Sequence, residues 1–116
     1  MRVYQTINVL EAMNVRFKKI FDRHEHVIVS VSSGKDSTLL AYLAADYARR
    51  HGRKISLFFL DQEAEYIATI EQIRHMMSWP DTIPLWYQIP IRMTNATSYT
   101  DSFLSAWGEG EEWMRE

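Results

Sequence analysis

The chain of 116 residues contains no cysteine, only three prolines and four glycines, and its formal net charge is −2. The lack of cysteine excludes disulfides, thiolate zinc sites, iron–sulfur clusters and a cysteine nucleophile. The small net charge provides no general attraction to nucleic acid or to an anionic membrane, so any anion site must come from a local arrangement of residues. Composition therefore removes several classes of function without naming one.

Long apolar runs are absent as well. No segment approaches the run of about 20 apolar residues that a membrane span needs, and residues 1–6 lack the apolar region of a signal peptide. We therefore expect a cytoplasmic protein that has no membrane partner, and no nucleic-acid partner is indicated.

The residues that are present describe an ordinary globular protein, because 47% are hydrophobic and 24% are charged. The length suits one compact domain, which we assign to residues 1–116. Within it we expect an N-terminal helix over 1–22, a βαβαβ core over 27–92, and a substrate loop with an aromatic and acidic tail over 93–116.

Alternating helical and strand patterns predict the first half of the core. Apolar side chains three or four residues apart predict an amphipathic helix that ends near Phe21. These side chains are Val3, Ile7, Leu10, Met13, Phe17 and Ile20. The β-branched run 27–31 predicts a strand buried on both faces. A second helix is expected from Asp36 to just before Gly52, followed by an apolar strand over 55–60 that is parallel to the first.

A third helix and a third strand follow in the pattern. Asp61 is predicted to cap the third helix. The expected apolar face of that helix consists of Ile67, Ile70, Ile73 and Met77. Glu63 and Glu65 are interpreted as acids in its first turn, where they suit the helix dipole, in preference to metal ligands. The third strand is predicted over 85–91, at an edge of the sheet because two prolines lie in it or beside it.

The residues between the first strand and the second helix read Ser32-Ser33-Gly34-Lys35-Asp36-Ser37. A helix N-terminus in this place offers unpaired N–H donors and a partial positive charge to an anion. Gly34 lets the backbone approach a ligand without an intervening Cβ, Lys35 adds a full charge, and serine hydroxyls can donate to phosphate oxygens. The order of strand, loop and helix favours phosphate binding over the alternative of a polar turn with no ligand.

Two widespread phosphate motifs do not fit this loop. A Walker A loop needs a glycine five residues before the Gly-Lys pair and a serine or threonine directly after it, but Val29 and Asp36 stand in those places. The Rossmann fingerprint fails because Gly34 is the only glycine near the turn. Asp36 either caps the second helix or holds a magnesium ion that bridges two phosphates, and the sequence leaves both roles open.

The loop resembles the PP-loop of the N-type ATP pyrophosphatase superfamily, whose usual form is Ser-Gly-Gly-x-Asp-Ser at the end of the first strand. The match covers residues 32–37 with one departure, Ser33 in place of the first glycine. If that glycine needs a positive φ, Ser33 carries a strain of about 1 kcal/mol. The segments 58–66 and 90–98 also resemble the phosphoadenosine phosphosulfate reductase-like branch, and within it the coactivators of prophage gene expression.

This resemblance implies an α/β fold, the three-layer adenine nucleotide alpha hydrolase-like (HUP, Rossmann-like) parallel sheet, shortened here to about three strands. It implies ATP and Mg²⁺ as cofactors, with the backbone of residues 59–61 receiving adenine and Arg92 meeting a phosphate or sulfate. The expected nucleotide-binding residues are Ser30, Ser32, Ser33, Gly34, Lys35, Asp36, Ser37, Thr38, Phe59, Leu60, Asp61 and Arg92. Lys35 and Asp36 are the expected catalytic residues, and Asp36 is the expected metal ligand.

Two functions remain open. In the first, the chain binds ATP and cleaves it between the α and β phosphates to adenylate an unknown substrate, as the resemblance implies. In the second, it is a catalytically weak nucleotide-binding regulatory module or small subunit, of phage or prophage type, that acts through protein partners. Sulfonucleotide reductases of the branch use a C-terminal cysteine, so their chemistry is excluded for this chain alone.

The strand order of the resembling fold also predicts oligomerisation. Its first strand lies inside the sheet, between the second strand and strands that come later, for which we expect no counterpart here. The strand 27–31 would then lie at an open edge, which invites pairing with another chain. We expect a symmetric homodimer or a protein partner along this edge, or a cover formed by the first helix and by Phe103, Trp107 and Trp113.

Overall fold

The computed structural model describes residues 1–63, 65–89, 92–93, 99–100, 104–105, 110 and 112, and at 92–93 and 104–105 it describes the backbone alone. Its elements are α1 (Val9–Arg23), β1 (Ile28–Ser30), α2 (Lys35–Arg50), β2 (Ile55–Asp61), α3 (Ile67–Met77), β3 (Thr82–Gln88), β4 (Arg92–Met93) and β5 (Leu104–Ser105). Most of the expected substrate loop and tail, including Phe103, Trp107 and Trp113, lies outside the described residues.

Three parallel strands form the main sheet in the order β1-β2-β3. One row across the sheet joins Val29 to Leu57 and Leu57 to Pro84. The helices α2 and α3 connect successive strands, which confirms the predicted α/β core with its βαβαβ order. β3 lies at one edge, as its prolines predicted, and β1 lies at the other edge.

One face of the sheet forms the core. Side chains alternate between the two faces along a strand, so Ile55, Leu57 and Phe59 of β2 point to the same side, and all three are buried. The rest of this cluster consists of Phe17, Phe21, Val29, Val31, Ala41, Ala44, Tyr47, Ala48, Ile70, Ile73 and Met76. Each large apolar side chain buried in this way contributes about 1.5–3 kcal/mol before the entropy of ordering is subtracted.

The opposite face of the sheet is open at both edges. Ile28 of β1 is 60% exposed, and Ile83 and Tyr87 of β3 are 49% and 48% exposed. The expectation that the first strand is buried on both faces is therefore wrong, because Val29 is buried while its neighbour Ile28 points to the open side. Of the three-layer fold that the resemblance implies, the described residues contain the parallel sheet and the layer of helices on one of its faces.

The apolar spacing predicted that the first helix begins near Val3, but the helix begins at Val9. Asn8 and Glu11 form a capping box, in which Glu11 N donates to Asn8 Oδ1 and Asn8 N donates to Glu11 Oε2, each at 2.9 Å. These reciprocal bonds satisfy N–H groups at the helix start and end the helix in that direction. Val3 and Ile7 consequently lie before the helix and are exposed.

Aromatic contacts and one arginine attach α1 to the rest of the domain. The rings of Phe17 and Phe21 lie 5.6 and 5.1 Å from the ring of Tyr47 on α2. The guanidinium of Arg53, just before β2, lies 5.0 Å above the Phe21 ring. It also donates hydrogen bonds at the C-terminal end of α1, to the carbonyl oxygens of Phe21, His24 and Glu25. Arg53 therefore satisfies carbonyl groups that the helix end leaves without helical partners.

The third helix starts later than predicted. Its N-cap is Tyr66, whereas Asp61 is the last residue of β2 and is fully buried, so the prediction that Asp61 caps this helix is wrong. Glu63 and Glu65 both precede the helix and therefore do not lie in its first turn. Ile67 is 79% exposed, because the buried stripe consists of Ile70, Ile73 and Met76 and begins one turn further along.

The third strand begins at Thr82 and not at Leu85, and it ends at Gln88. A tight turn sets its start, since Asp81 has a φ of 63° and the Thr82 hydroxyl donates to Trp79 O at 2.9 Å. Sequence periodicity does not report such a turn, which explains the shift from the predicted range of 85–91.

Candidate functional site

The loop 32–37 links the carboxyl end of β1 to the N-terminus of α2. Ser33 has a φ of 63°, in the left-handed region that residues other than glycine rarely adopt. A serine in this conformation is less stable than a glycine by about 1 kcal/mol. The one departure from the resembling loop thus falls on the residue of the loop whose backbone favours glycine.

Gly34 is the N-cap of α2, with φ −65° and ψ 156°, an extended conformation open to any residue. A Cβ placed on it would lie 3.5 Å from Ser32 Oγ, which is an ordinary van der Waals contact. The backbone of the free loop therefore does not require glycine here. The absence of a side chain instead leaves the start of α2 open to close approach by a ligand.

The two outer serines of the loop join its ends. Ser32 N donates to Ser37 Oγ at 3.2 Å, the two hydroxyl oxygens are also 3.2 Å apart, and Ser37 Oγ donates to Gly34 O at 3.1 Å. The first backbone hydrogen bond of α2 runs from Thr38 N to Gly34 O at 3.0 Å. The N–H groups before Thr38 thus have no partner within the helix, so they face the loop as potential anion donors.

Lys35 and Asp36 are the first residues of α2. Lys35 Nζ lies 2.6 Å from Asp36 Oδ1, and the two side chains are 90% and 89% exposed. The Asp36 carboxylate and the Ser37 hydroxyl supply oxygen ligands of the kind that Mg²⁺ prefers. Among the described residues there is no group of three or more histidine, aspartate or glutamate side chains that could hold a metal ion. A magnesium ion at Asp36 would therefore take its further ligands from phosphate oxygens and water.

Two expected binding residues are not gathered at the loop. The Thr38 hydroxyl donates to Met76 Sδ at 3.7 Å, so it faces α3. Ser30 alternates with Val29 and lies on the open face of the sheet, the side that also carries Ile28. The structure concentrates the polar groups of the candidate site within residues 32–37.

The carboxyl end of β2 lies beside the loop, because Val31 N donates to Phe58 O at 2.9 Å. The Phe59 side chain is 3% exposed and meets the Trp86 ring edge-on at a centroid distance of 5.2 Å, so it belongs to the core. Leu60 lies on the opposite face and is half-buried. A ligand at this end of β2 would therefore meet backbone groups rather than the Phe59 ring.

Asp61 and Glu63 are the buried charged residues of the described chain, and sequence reasoning missed their burial. The signal was present, because the buried alternation of Ile55, Leu57 and Phe59 extends to position 61 and places Asp61 on the same face. The interpretation of an acid after a strand as a helix cap overrode that alternation.

Arg92 is the remaining expected ligand contact. Its backbone lies in β4, opposite Ser105 in the small antiparallel sheet that β4 forms with β5. Its side chain lies outside the described residues, so contact with a phosphate or sulfate stays a prediction.

A cavity of about 360 Å³ lies elsewhere, between the C-terminal halves of α2 and α3. It is lined by Tyr42, Ala45, Asp46, Arg49, His75, Trp79, Pro80 and Asp81. A hydrogen bond from Arg49, with a second from Arg50, holds the pKa of Asp46 below its usual range. None of these residues belongs to the loop 32–37. We place the candidate site at the loop, because an anion is bound by exposed donors at a helix start and does not require a deep cavity.

Comparison with known proteins gives two partial similarities. The chain is 33% identical over 113 residues to uncharacterized protein YbdN of Escherichia coli (strain K12), a match that covers 95% of this chain and 28% of that protein. It is 43% identical over 42 residues to cytoplasmic tRNA 2-thiolation protein 1 of Arabidopsis thaliana, over 36% of this chain and 12% of that one. No family model and no solved structure matches the chain. The chain thus spans less than a third of the length of these relatives.

In the part of the chain that the structure describes, no helix has the length and apolar character needed to cross a membrane.

Proposed function

We propose that this chain binds an adenine nucleotide, ATP, with its phosphates over Gly34 and Lys35. The observation that carries the proposal is the left-handed Ser33 directly before the start of α2. This turn directs the chain from a strand into a helix whose first N–H groups have no helical partner and whose first residue is the exposed Lys35.

The side chains of the loop suit the charge of a triphosphate. Lys35 would stabilise negative charge on the phosphates, and Asp36 would exchange its ion pair with Lys35 for a magnesium ion. Held by Asp36, Mg²⁺ would supply Lewis-acid stabilisation of negative charge on the phosphates. The hydroxyls of Ser32 and Ser37, already 3.2 Å apart, would orient the same oxygens. With these groups the chain would support cleavage of ATP between the α and β phosphates.

The acceptor of the adenylyl group stays open in this proposal. The Arabidopsis relative is named for 2-thiolation of tRNA. We do not extend tRNA to this chain, because its formal net charge of −2 provides no general attraction to a polyanion.

A second candidate function is a nucleotide-binding module that turns ATP over weakly or not at all and acts through a protein partner. The observation that favours it is again Ser33. A strained serine at a position that favours glycine would keep the backbone of the loop further from the phosphates and so weaken their contacts. Binding is common to both candidates, and turnover separates them.

The test combines binding with product analysis. Calorimetry with ATP and Mg²⁺ measures binding, and ATP labelled at the α or at the γ phosphate distinguishes pyrophosphate release from phosphate release. Release of pyrophosphate supports the adenylating enzyme, and binding without release supports the module. If ATP does not bind either with or without Mg²⁺, both candidate functions are overturned.

A further inference from the structure

Two carboxylates are buried at the carboxyl end of β2, in a domain with a small core. Asp61 is 0% exposed and Glu63 is 4% exposed. Burial of a charged group is unfavourable unless hydrogen bonds compensate for the lost water. Two buried acids are therefore unusual in a small apolar core. Their hydrogen bonds show which parts of the structure they hold in place.

The hydrogen bonds join the ends of two strands. Asp61 Oδ1 accepts from Glu63 N at 2.9 Å, and Asp61 Oδ2 accepts from the indole Nε1 of Trp86 at 3.0 Å. Gln88 Nε2, at the end of β3, donates to Glu63 Oε1 at 3.0 Å. Each acid thus has a partner on β3, and Asp61 also accepts from the backbone of its own turn.

The turn held by these bonds is strained. Glu63 has a φ of 65°, in the left-handed region that costs a non-glycine residue free energy. Such conformations persist when surrounding contacts determine them, and they occur often beside ligand sites. The Asp61 carboxylate supplies a determining contact, because it accepts from the N–H of the strained residue itself.

The turn lies next to the phosphate loop. β1 and β2 are paired neighbours, and the pairing extends to Val31, whose N–H donates to Phe58 O. Adjacent strands are about 4.8 Å apart, so the loop and the turn leave the sheet side by side at its carboxyl edge. A nucleotide with its phosphates over Gly34 would place its nucleoside within reach of the backbone at Leu60 and Gln62.

We infer that Asp61 is a positioning residue for the nucleoside half of the ligand. By fixing the 61–63 turn, it holds the backbone N–H and C=O groups at the end of β2 in the arrangement that receives the base. The inference rests on the proposed nucleotide site, and it concerns the part of the ligand that the phosphate loop does not contact. It predicts that Asp61 contributes to affinity for ATP and not to affinity for the phosphate chain alone.

The test compares ATP with inorganic tripolyphosphate, each measured by calorimetry with Mg²⁺. The variant Asp61→Asn keeps the size of the side chain but sets an amide N–H against either Glu63 N–H or Trp86 N–H, so one hydrogen bond is lost. We expect its ATP affinity to fall by up to about tenfold, because the hydrogen bond that is lost orders the 61–63 turn and does not itself contact the ligand. Its affinity for tripolyphosphate should stay within about twofold of the parent's, because the phosphate chain would contact the loop 32–37 and not the 61–63 turn.

Two further variants keep the inference testable. Trp86→Phe removes the indole donor and keeps an aromatic ring, although a smaller one, beside Phe59. It should lower the ratio of ATP to tripolyphosphate affinity even if Asp61→Asn does not fold. Ile73→Val removes a methylene from the core outside this network, and it should leave the ratio unchanged although it lowers stability. An equal shift of the ratio in Ile73→Val would make the effect one of stability and overturn the inference.

The outcomes for the parent protein separate this inference from the proposed function. If the parent binds tripolyphosphate as tightly as ATP, the nucleoside adds nothing, and the positioning role is overturned while the phosphate loop stands. If Asp61→Asn and Trp86→Phe leave a clear preference for ATP unchanged, the positioning role is again overturned. If the parent binds neither ligand, the proposed function fails, and this inference fails with it.

Discussion

The ammonium of Lys35 lies 2.6 Å from the Asp36 carboxylate, and both side chains are about nine-tenths exposed. An exposed ion pair of this kind contributes little to stability, because solvent screens it. Its two charges are therefore available to a ligand at small cost to the fold, and the loop can be altered without unfolding the domain.

Replacement of Lys35 tests the phosphate contact directly. We expect Lys35→Ala to weaken ATP binding by about 1.5–3 kcal/mol, the value of a hydrogen bond between charged partners, which is about 10- to 150-fold. Calorimetry measures the change, and Lys54→Ala is the control because Lys54 is exposed and lies outside the loop. Equal affinity in Lys35→Ala and the parent would show that the phosphates bind elsewhere.

Replacement of Ser33 by glycine should relieve backbone strain in the loop. We expect Ser33→Gly to raise the free energy of unfolding by up to about 1 kcal/mol and to tighten ATP binding or speed any pyrophosphate release. Asp81→Gly is a matched control, because Asp81 has the same φ of 63° but lies at the start of β3. It should stabilise the domain without affecting ATP. Weaker ATP binding by Ser33→Gly would identify the Ser33 hydroxyl as a phosphate contact.

Gly34→Ala separates the needs of the fold from those of the ligand. The free loop accommodates a Cβ at 3.5 Å from Ser32 Oγ, so we expect unfolding to change by less than about 1 kcal/mol. ATP affinity should nevertheless fall at least about tenfold, since the new Cβ would displace phosphate oxygens from the start of α2. Gly52→Ala provides the reverse pattern. Gly52 has a φ of 66° far from the loop, so this variant should lose stability and keep its ATP affinity.

Arg53 is expected to matter for stability alone. Because its guanidinium joins three carbonyl oxygens at the end of α1 and covers the Phe21 ring, Arg53→Ala should lower the free energy of unfolding by about 1–3 kcal/mol. Arg53→Lys should recover only part of the loss, since an ammonium cannot reproduce the planar fork of donors. Urea denaturation measures both variants against Arg16→Ala, an exposed position on α1. A midpoint for Arg53→Ala equal to that of the Arg16 control would contradict this role.

The open edge of β1 predicts self-association. Val31 N and Val27 O bond to β2, so by alternation the N–H and C=O groups of Ile28 and Ser30 point away from it, toward the open edge. We expect an antiparallel pairing of two such edges about a twofold axis, and hence a dimeric mass by light scattering at micromolar concentration. Ile28→Pro removes an outward N–H without touching the bonds to β2, and it should yield the monomer. A monomeric parent with cooperative unfolding would mean that the edge is covered within one chain.

The sequence correctly predicted the elements whose pattern of apolar residues is regular from one end to the other. The apolar strand 55–60 agrees with β2, and the predicted second helix agrees with α2 and with the left-handed Gly52 that follows it. The place of the loop 32–37 between a strand and a helix was also predicted, and the structure has it between β1 and α2. Anion binding by this loop stays a prediction from residue types and spacing.

The errors arose where tertiary neighbours decide the outcome. The first strand is mostly apolar, but burial of Ile28 would need a second layer of structure on its face of the sheet. The residues of the strand do not tell whether such a layer is present. The start of α1 depends on the reciprocal bonds of Asn8 and Glu11, which override an apolar spacing that extends further back. The burial of Asp61 continues the alternation along β2 and could have been predicted, but its partner is an indole 25 residues later in the chain, which no local pattern reports.

The strand order β1-β2-β3 means that each strand pairs with the strand made just before it. Each pairing joins residues that are far apart in the chain, such as Ile28 with Ser56 and Ile55 with Thr82, so a strand can pair only after the helix between it and its partner has been made. The sheet can therefore grow one strand at a time while the protein is still being synthesised. Between the synthesis of Asp61 and of Gln88, both edges of the growing sheet are unpaired. At a rate of about 5–20 residues per second this interval lasts about 1–5 s, and it is the period in which the nascent chain is most open to mispairing with another strand.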